Sequence, residues 1–350
     1  MRASLVLRAD GGPRIGAGHV MRCLALAQAW QDTGGQAVFV MAEPTPTLEA
    51  RVQAEGMQVI RISATPGSHD DACQTVRLAR HLDASWVVVD SYQWDTVSQR
   101  IVKDAGLRLL VMDDMGQVGR YEADLILNQN LHAHEGLYAN RPSTCELLLG
   151  GEYVLLRREF LQWQEWRREI PSVGRNLLIM LGGSDPENLT LRLIEAFHTM
   201  EIEKIQVVVV IGGMNPYYSQ LQEVIRSCRV PIRLEREVTR MAELMAWADV
   251  AISSGGTTVW ECAFMGLPTI VGVIAEVEDY LVSGLRRHGL FLHLGWFRET
   301  PVEQLMNLLT VLTNDQLQRQ HMSELGRRLI NGQGCQRVLG RIRNGKSADW

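Results

Sequence analysis

A histidine that directly follows a glycine pair is the first group in this chain that could do chemistry. His19 comes after Gly16-Ala17-Gly18, and Asp10 lies near the start of the same stretch. Because the unperturbed pKa of imidazole lies close to neutrality, a histidine beside a ligand is a suitable general base. A carboxylate within reach, from Asp10 or Asp90, would orient the ring. His19 is therefore predicted to be a catalytic base, and its alternative role is structural, at a helix start.

The glycines before His19 are predicted to bring the backbone close to a substrate. Gly16 and Gly18 carry no side chain that would block such an approach. The free N–H groups of a helix start can also bind an anion, but the third glycine of a dinucleotide fingerprint is missing. We therefore expect this turn to hold His19 against the substrate rather than to bind phosphate. Arg22, one turn further, is placed in the same binding region, mainly as a support of the helix start.

Two glycine-serine turns in the second half of the chain could hold a diphosphate. They span residues 182–185 and 253–256, each between a strand and a helix. Backbone N–H groups and hydroxyls in such turns bind phosphate without lysine, although neither turn continues as a Walker loop. One such turn alone is more typical of an ordinary strand-to-helix connection, and two in one half favour a phosphate site. The predicted contacts are Gly183, Ser184, Ser254, Gly255, Gly256 and Thr257.

Two further side chains are candidates for ligand contact. Glu261 lies five residues beyond Gly256, where its carboxylate could accept hydrogen bonds from a ribose diol. A solvated helix glutamate is the equally weighted alternative. Tyr92 follows Asp90 at the end of an apolar strand, where ligands of parallel sheets usually bind. It is predicted to touch the ligand, and its alternative role is that of an ordinary tyrosine at the rim of the sheet.

Metal chemistry is not predicted from this sequence. Asp113 and Asp114 are adjacent at a strand end and therefore point apart, so we expect two solvated turn carboxylates. His132 and His134 share a polar loop without a third ligand at metal spacing and are expected on the surface. The six cysteines show no C-x-x-C spacing, which indicates reduced thiols rather than a zinc site or a disulfide framework.

The elements that must position these residues alternate regularly along the chain. Apolar strands are predicted at residues 4–8, 36–42, 57–62, 86–89, 107–112 and 124–127, and again at 176–181, 205–211, 232–234, 250–252 and 268–273. Helical patterns separate most of them, which is typical of a parallel sheet covered on both faces. The predicted fold class is α/β, with two Rossmann-like doubly wound domains facing across a cleft. Their predicted bounds are residues 1–150 and 172–350, joined by a linker at 151–171.

The composition and net charge of the chain indicate which classes of binding partner to expect. The chain has 350 residues, 46% hydrophobic and 21% charged, with a net charge of −5. Nothing in this balance favours nucleic acid or an anionic membrane, so a small-molecule substrate is expected and protein partners are not predicted. The first residues form a strand rather than a signal peptide, and no apolar run is long enough to span a bilayer. A cytoplasmic location is therefore expected.

An ordered set of motifs resembles the PseG/SpsG family, the UDP-sugar hydrolases of pseudaminic acid biosynthesis. The motifs are the stretch 10–23, Asp90-Ser91-Tyr92, Leu127-Asn128-Gln129-Asn130, the stretches 149–157 and 181–185, and the stretch 254–268 with Glu261 and Gly266-Leu267-Pro268. The resemblance covers residues 1–335. It implies the GT-B architecture, a likeness to MurG-type glycosyltransferases, and hydrolysis of the anomeric C–O bond of UDP-2,4-diacetamido-2,4,6-trideoxy-β-L-altropyranose with inversion and without a metal.

The resemblance also implies roles for individual residues. His19 becomes the base that activates water, Tyr92 lies near the sugar, Glu261 binds the ribose, and residues 255–257 bind the diphosphate. One departure is visible: Ala275-Glu276-Val277-Glu278 stands where the family usually has Ala-Glu-Asn-Gln. An anion at Glu278 would repel phosphates, so we expect it to meet a sugar hydroxyl or amine, or to point away. Two alternatives stay open, a MurG-like glycosyltransferase that uses a UDP-sugar donor and a non-catalytic nucleotide-sugar binder.

Overall fold

The computed structural model describes residues 3–13, 15–197, 205–285 and 288–344. Within it the chain divides into two compact units, Met1–Arg158 with Gly332–Trp350, and Glu159–Asn331. Each unit is built on its own sheet, as the alternation of strands and helices predicts.

The first unit contains a seven-stranded parallel sheet. Its strands are β1 Ser4–Ala9, β2 Gln36–Met41, β3 Gln58–Arg61, β4 Ala84–Asp90, β5 Arg108–Met112, β6 Leu125–Asn128 and β7 Glu146–Leu149. They are ordered β3-β2-β1-β4-β5-β6-β7. The order reverses beside β1, which pairs with both β2 and β4. Such a switch point is where open parallel sheets bind ligands, beyond the carboxyl ends of the strands.

The second unit repeats this plan with six parallel strands. They are β8 Asn176–Met180, β9 Gln206–Ile211, β10 Ile232–Arg236, β11 Val250–Ser254, β12 Thr269–Val273 and β13 Leu292–Trp296. They are ordered β10-β9-β8-β11-β12-β13, so the order reverses between β8 and β11. The two glycine-serine turns follow these two strands directly. The predicted α/β class with two doubly wound parallel sheets is therefore confirmed.

The helices cover the sheets. In the first unit they are α1 Gly18–Asp32, α2 Pro46–Ala54, α3 His69–His81 and α4 Thr96–Asp104, and the short α5 Arg158–Leu161 leads into the second unit. The following helices are α6 Leu189–Ala196, α7 Tyr218–Ser227, α8 Met241–Trp247, α9 Thr258–Phe264, α10 Glu276–Leu285, α11 Val302–Asn314, α12 Gln316–Leu329 and α13 Gly334–Asn344. Helix α1 is buried over most of its length, which fixes the position of its first turn.

The last helix, α13, packs on the first unit. Its buried side chains, Cys335, Val338, Leu339 and Ile342, recur at helical spacing and form one apolar stripe. The Cys335 thiol donates to the carbonyl of Leu156 at 3.6 Å. The predicted boundaries differ from this division, because they assign the whole C-terminus to the second domain and place a linker at residues 151–171. Periodicity predicts that a stripe is buried but not which sheet buries it.

No helix among the described residues has the length and apolar character needed to cross a membrane. The six cysteines are free, four of them buried and two half-buried.

Candidate functional site

The glycine turn before His19 is closed by its own hydrogen bonds. Gly12 N donates to Gly16 O at 3.0 Å, and Gly16 N donates back to Gly12 O at 2.8 Å. Gly16 has a φ of +74°, which favours glycine. A side chain on Gly11 would collide with Leu48. Because two of its N–H groups are used internally, the turn has fewer donors for a phosphate, and its geometry serves to start α1 at Gly18.

His19, on the first turn of α1, lies between a carboxylate and an aromatic ring. Its Nε2 is 3.8 Å from Oδ1 of Asp90, which is fully buried at the end of β4. The ring of Tyr92 meets the imidazole edge-on, with 4.6 Å between ring centroids. The sequence-predicted residues His19, Asp90 and Tyr92 are thus brought together. Asp90 is thus the acidic side chain that lies next to the imidazole.

Asp10, the other carboxylate considered for His19, is engaged elsewhere. Its Oδ1 accepts from the backbone N–H groups of Ala42 and Glu43, at 2.7 and 2.9 Å. Its Oδ2 lies 2.6 Å from NH1 of Arg8, which also pairs with Asp71. Asp10 therefore ties β1 to the end of β2, and Asp90 is the carboxylate that the structure brings next to His19.

Arg22 is the buried cation of this region. Its guanidinium binds Asp90 through Nε and NH2 and binds Asp114 through NH1 and NH2. Arg22, Asp90 and Asp114 are all buried, so the interaction takes place away from bulk water. One arginine thereby fixes two carboxylates, and Asp90 is held in place for His19. The arginine supports the site from inside, as expected for the helix start, instead of presenting a free cation to a ligand.

Asp114 is buried and paired, so the expectation of a solvated turn carboxylate is wrong. It accepts from the Tyr92 hydroxyl at 2.8 Å and from Nδ2 of Asn130 at 2.7 Å. Burial alone would raise the pKa of Asp114, but the Arg22 guanidinium holds it well below its usual range. Burial, and then the Asp114 carboxylate, raise the pKa of the Tyr92 hydroxyl far above its ordinary value. Tyr92 therefore stays protonated and donates to Asp114.

Asp113 has hydrogen-bond partners different from those of Asp114. It is buried as well, and accepts from the hydroxyls of Tyr121 and Tyr138 at 2.6 and 3.0 Å. His132, expected on the surface, is half-buried, and its Nε2 lies 3.0 Å from the backbone carbonyl of Asp114. His134 is exposed.

The described part of the chain contains no group of three or more histidine, cysteine, aspartate or glutamate side chains arranged to hold a metal ion.

In the second unit, the first glycine-serine turn is closely packed. Gly182 has a φ of +86°, and a side chain on Gly212 would collide with the backbone of Gly183. Ser184 is buried. Asp185 caps α6, since its two carboxylate oxygens accept from the N–H groups of Leu189 and Thr190. The turn is thus closely packed, and its backbone lies at the carboxyl edge of the sheet.

The second turn lies beside it and is in contact with Glu278. A side chain on Gly255 would collide with Val282, and one on Gly256 would lie 3.4 Å from Oε1 of Glu278. Glu278 is buried, and its Oε2 accepts from Ile274 N at 3.0 Å. Glu278 thus lies against the predicted phosphate turn, whereas the sequence led us to expect that it meets a sugar hydroxyl or amine, or points away.

The other two candidates of this turn lie on or beside α9. Thr257 precedes the helix, and Glu261 lies within it, each half-buried. Thr257 follows the turn directly, and Glu261 lies one helical turn further along α9.

Sequence reasoning missed the roles of Asp114 and Asn130. A signal was available, because Asp114 follows a buried parallel strand in the same way that Asp90 ends the neighbouring one. Asn130 lies in the motif after β6, for which the sequence alone suggested no role. The sequence does not give the distances from Asp114 and Asn130 to Arg22, because these distances depend on the pairing of β4 with β5.

The second unit matches a known domain. Residues 177–324 match the glycosyltransferase family 28 C-terminal domain. Solved structures share the fold of the whole chain. MurG of Acinetobacter baumannii is 16% identical, with a TM-score of 0.66 over 97% of this chain and 99% of that one. The glycosyltransferase of kitacinnamycin is 15% identical, with a TM-score of 0.69 over 98% and 99%.

Three curated proteins are similar in sequence. MJ1062, an uncharacterized protein of Methanocaldococcus jannaschii, is 24% identical over 82% of this chain, which spans 60% of that protein. The spore coat polysaccharide biosynthesis protein SpsG of Bacillus subtilis is 23% identical over 94% of this chain and 95% of its own. A Campylobacter jejuni UDP-2,4-diacetamido-2,4,6-trideoxy-beta-L-altropyranose hydrolase is 24% identical over 75% and 88%. The homologues of this chain thus include SpsG and the Campylobacter hydrolase, and its fold is that of GT-B glycosyltransferases such as MurG.

Proposed function

We propose that this protein hydrolyses a UDP-linked amino or deoxy sugar at the anomeric C–O bond and releases UDP and the free sugar. The observation that carries the proposal is the environment of His19, with the Asp90 carboxylate on one side and the Tyr92 ring on the other. A base in such a setting can take a proton from water as the water attacks.

The reaction assigns one task to each unit. In the first, His19 accepts the water proton while the water oxygen bonds to the anomeric carbon. Asp90 stabilises the imidazolium that forms, and Arg22 holds Asp90 in position. In the second, the turns containing Gly183, Ser184 and residues 254–257 receive the diphosphate, and Glu261 receives the ribose.

Bond breaking follows from this arrangement. The electron pair of the C–O bond leaves with UDP, whose added charge the backbone N–H groups of the turns stabilise. Attack from the face opposite to UDP inverts the anomeric centre. The names of relatives support the substrate class, since one is a hydrolase of a UDP-linked diacetamido sugar. A role in nonulosonate synthesis of the pseudaminic acid type belongs to the same proposal.

A transferase is the second candidate, and the match to the glycosyltransferase family 28 C-terminal domain favours it. The same histidine would then deprotonate an acceptor hydroxyl instead of water. The two reactions share the nucleotide site and differ in the group that attacks the anomeric carbon. Their products therefore distinguish them, because only a hydrolase releases the free sugar without an acceptor.

Release of UDP from a panel of UDP-sugars tests the assignment of the base. We expect His19→Ala to lose about two or more orders of magnitude in kcat, because proton transfer from water is no longer assisted. The matched control is His134→Ala, which removes an exposed histidine of the same unit and should leave the rate unchanged. Undiminished UDP release by His19→Ala would remove this residue from the mechanism.

A further inference from the structure

Glu278 is a buried carboxyl group in direct contact with the turn at residues 254–256. It is 8% exposed and lies on the first turn of α10. Its Cβ is 3.2 Å from the position that a Cβ on Gly255 would occupy, and its Oε1 is 3.4 Å from the corresponding position on Gly256. No side chain therefore separates the carboxyl group from the backbone of the turn.

The hydrogen-bond donors around Glu278 are backbone N–H groups and a hydroxyl, which are the kinds of group that also bind phosphate. Its Oε2 accepts from Ile274 N at 3.0 Å. The hydroxyl of Ser254 and the N–H of Gly255 also act on the carboxyl group and favour its charged form. The carboxyl group of Glu278 thus accepts hydrogen bonds that a bound phosphate would also accept. A phosphate oxygen would therefore compete with it for the same donors.

Glu278 has a perturbed protonation equilibrium because its carboxyl group is buried. Burial raises the pKa of Glu278 to about 7, against the opposing effects of Ile274 N–H, the Ser254 hydroxyl and Gly255 N–H. No charged side chain is among the described influences on it. The titratable groups on the surrounding elements are Glu276, Asp279 and Tyr280 of α10 and Glu261 and Cys262 of α9, and β12 has none.

We propose that Glu278 makes diphosphate binding at this turn depend on its own protonation. As a carboxylate it occupies the donors of the turn and repels the phosphates. As a carboxylic acid it releases those donors, keeps its proton, and donates a hydrogen bond to a phosphate oxygen. The inference rests on the proposed nucleotide site of the second unit, and it adds a residue that sets the pH range in which that site fills.

The sign of the effect follows from linkage. If the complex holds Glu278 protonated, binding above neutral pH is accompanied by proton uptake, so the affinity falls as the pH rises. Above the pKa of the free protein the decrease approaches about tenfold per pH unit. Glu278→Gln keeps the size and the donor of the acid form but cannot ionise, so its affinity should not depend on pH in this range.

Calorimetric titration with UDP and with UDP-glucose, from about pH 6 to about pH 8.5, tests the proposal. The sugar-linked probe is needed because its diphosphate has no group that titrates in this range. For the native protein we expect the Kd to rise roughly tenfold or more across the range. For Glu278→Gln we expect the Kd of UDP-glucose to change by less than about twofold across the same range. Glu276→Gln, an exposed glutamate on the same helix, is the control and should behave like the native protein.

Proton uptake by the native protein gives a second readout that needs no variant. Binding at about pH 8, measured in two buffers of different ionisation enthalpy, should show uptake of a large fraction of one proton. Equal pH profiles of the native protein and Glu278→Gln, or binding without proton uptake, would overturn the inference and leave the nucleotide site intact. No binding of UDP by either protein at any pH would instead contradict the proposed function itself.

Discussion

At the scale of single residues, Arg22 of the first unit is an arginine that binds two buried carboxylates. Arg22 contacts Asp90 and Asp114, and those two aspartates contact His19 and Tyr92 in turn. The side chains that would act on a substrate are thus positioned by groups that do not touch it. Removal of Arg22 would leave two carboxylates buried without their cation, which is more costly than loss of a surface pair.

Arg22→Met is therefore expected to destabilise the first unit by about 3–5 kcal/mol, because the buried carboxylates of Asp90 and Asp114 both lose the cation that pairs with them. Urea unfolding followed by tryptophan fluorescence measures the change. The control is Glu135→Gln, which removes the partner of Arg141 in a pair whose carboxylate is 76% exposed. That change should be about 1 kcal/mol or less. Equal effects of the two substitutions would argue against a structural role for the buried network.

The sequence was sufficient to choose the residues of this site but not to predict which side chains they contact. His19, Tyr92 and Asp90 could be chosen because each lies at a helix start or strand end, where parallel sheets place ligand contacts. Asp10 meets the same criterion, yet it binds the backbone at Ala42 and Glu43. Choosing between Asp10 and Asp90 requires the side-chain directions at two neighbouring strand ends, and spacing along the chain does not contain them.

At the scale of elements, the central strands and the edge strands β3 and β10 were predicted from the sequence, and the edge strands β7 and β13 were not. The strands β1, β4, β8 and β11 are continuous apolar runs because helices cover both of their faces. The edge strands β7 and β13 are short and only partly buried, so their pattern does not stand out. The helix α13 has a clear apolar stripe, but a stripe contains no information about the surface that it covers.

The docking of α13 on the first unit gives a prediction at this scale. A side chain on Gly334 would collide with the backbone of Val154, so Gly334→Ala should destabilise the protein by about 1–3 kcal/mol. Gly340, in the same helix, has no atom within 4 Å of its Cβ position. Gly340→Ala should therefore be stabilising, by roughly 0.5–1 kcal/mol. Thermal unfolding of both variants checks this pair, and a stabilising Gly334→Ala would contradict the described packing.

At the scale of the whole molecule, one plan is used twice with different chemistry at the strand ends. In the first unit the reversal of strand order at β1 and β4 brings together titratable side chains. In the second, the reversal at β8 and β11 brings together glycine-serine turns and one buried glutamate. This division was predictable because the turns and the ionisable residues occur in separate halves of the sequence. The sugar was not, since its contacts depend on side-chain directions.

Turnover in ¹⁸O-labelled water shows whether water attacks the anomeric carbon of a UDP-sugar. The products would be analysed by mass spectrometry and NMR, with a panel of UDP-linked amino and deoxy sugars and no acceptor present. The proposed hydrolysis predicts a free sugar that carries the label at its anomeric hydroxyl, together with unlabelled UDP. The first sugar product observed should have the inverted anomeric configuration. Label in UDP, or no free sugar from any substrate unless an acceptor is added, would contradict the proposed hydrolysis.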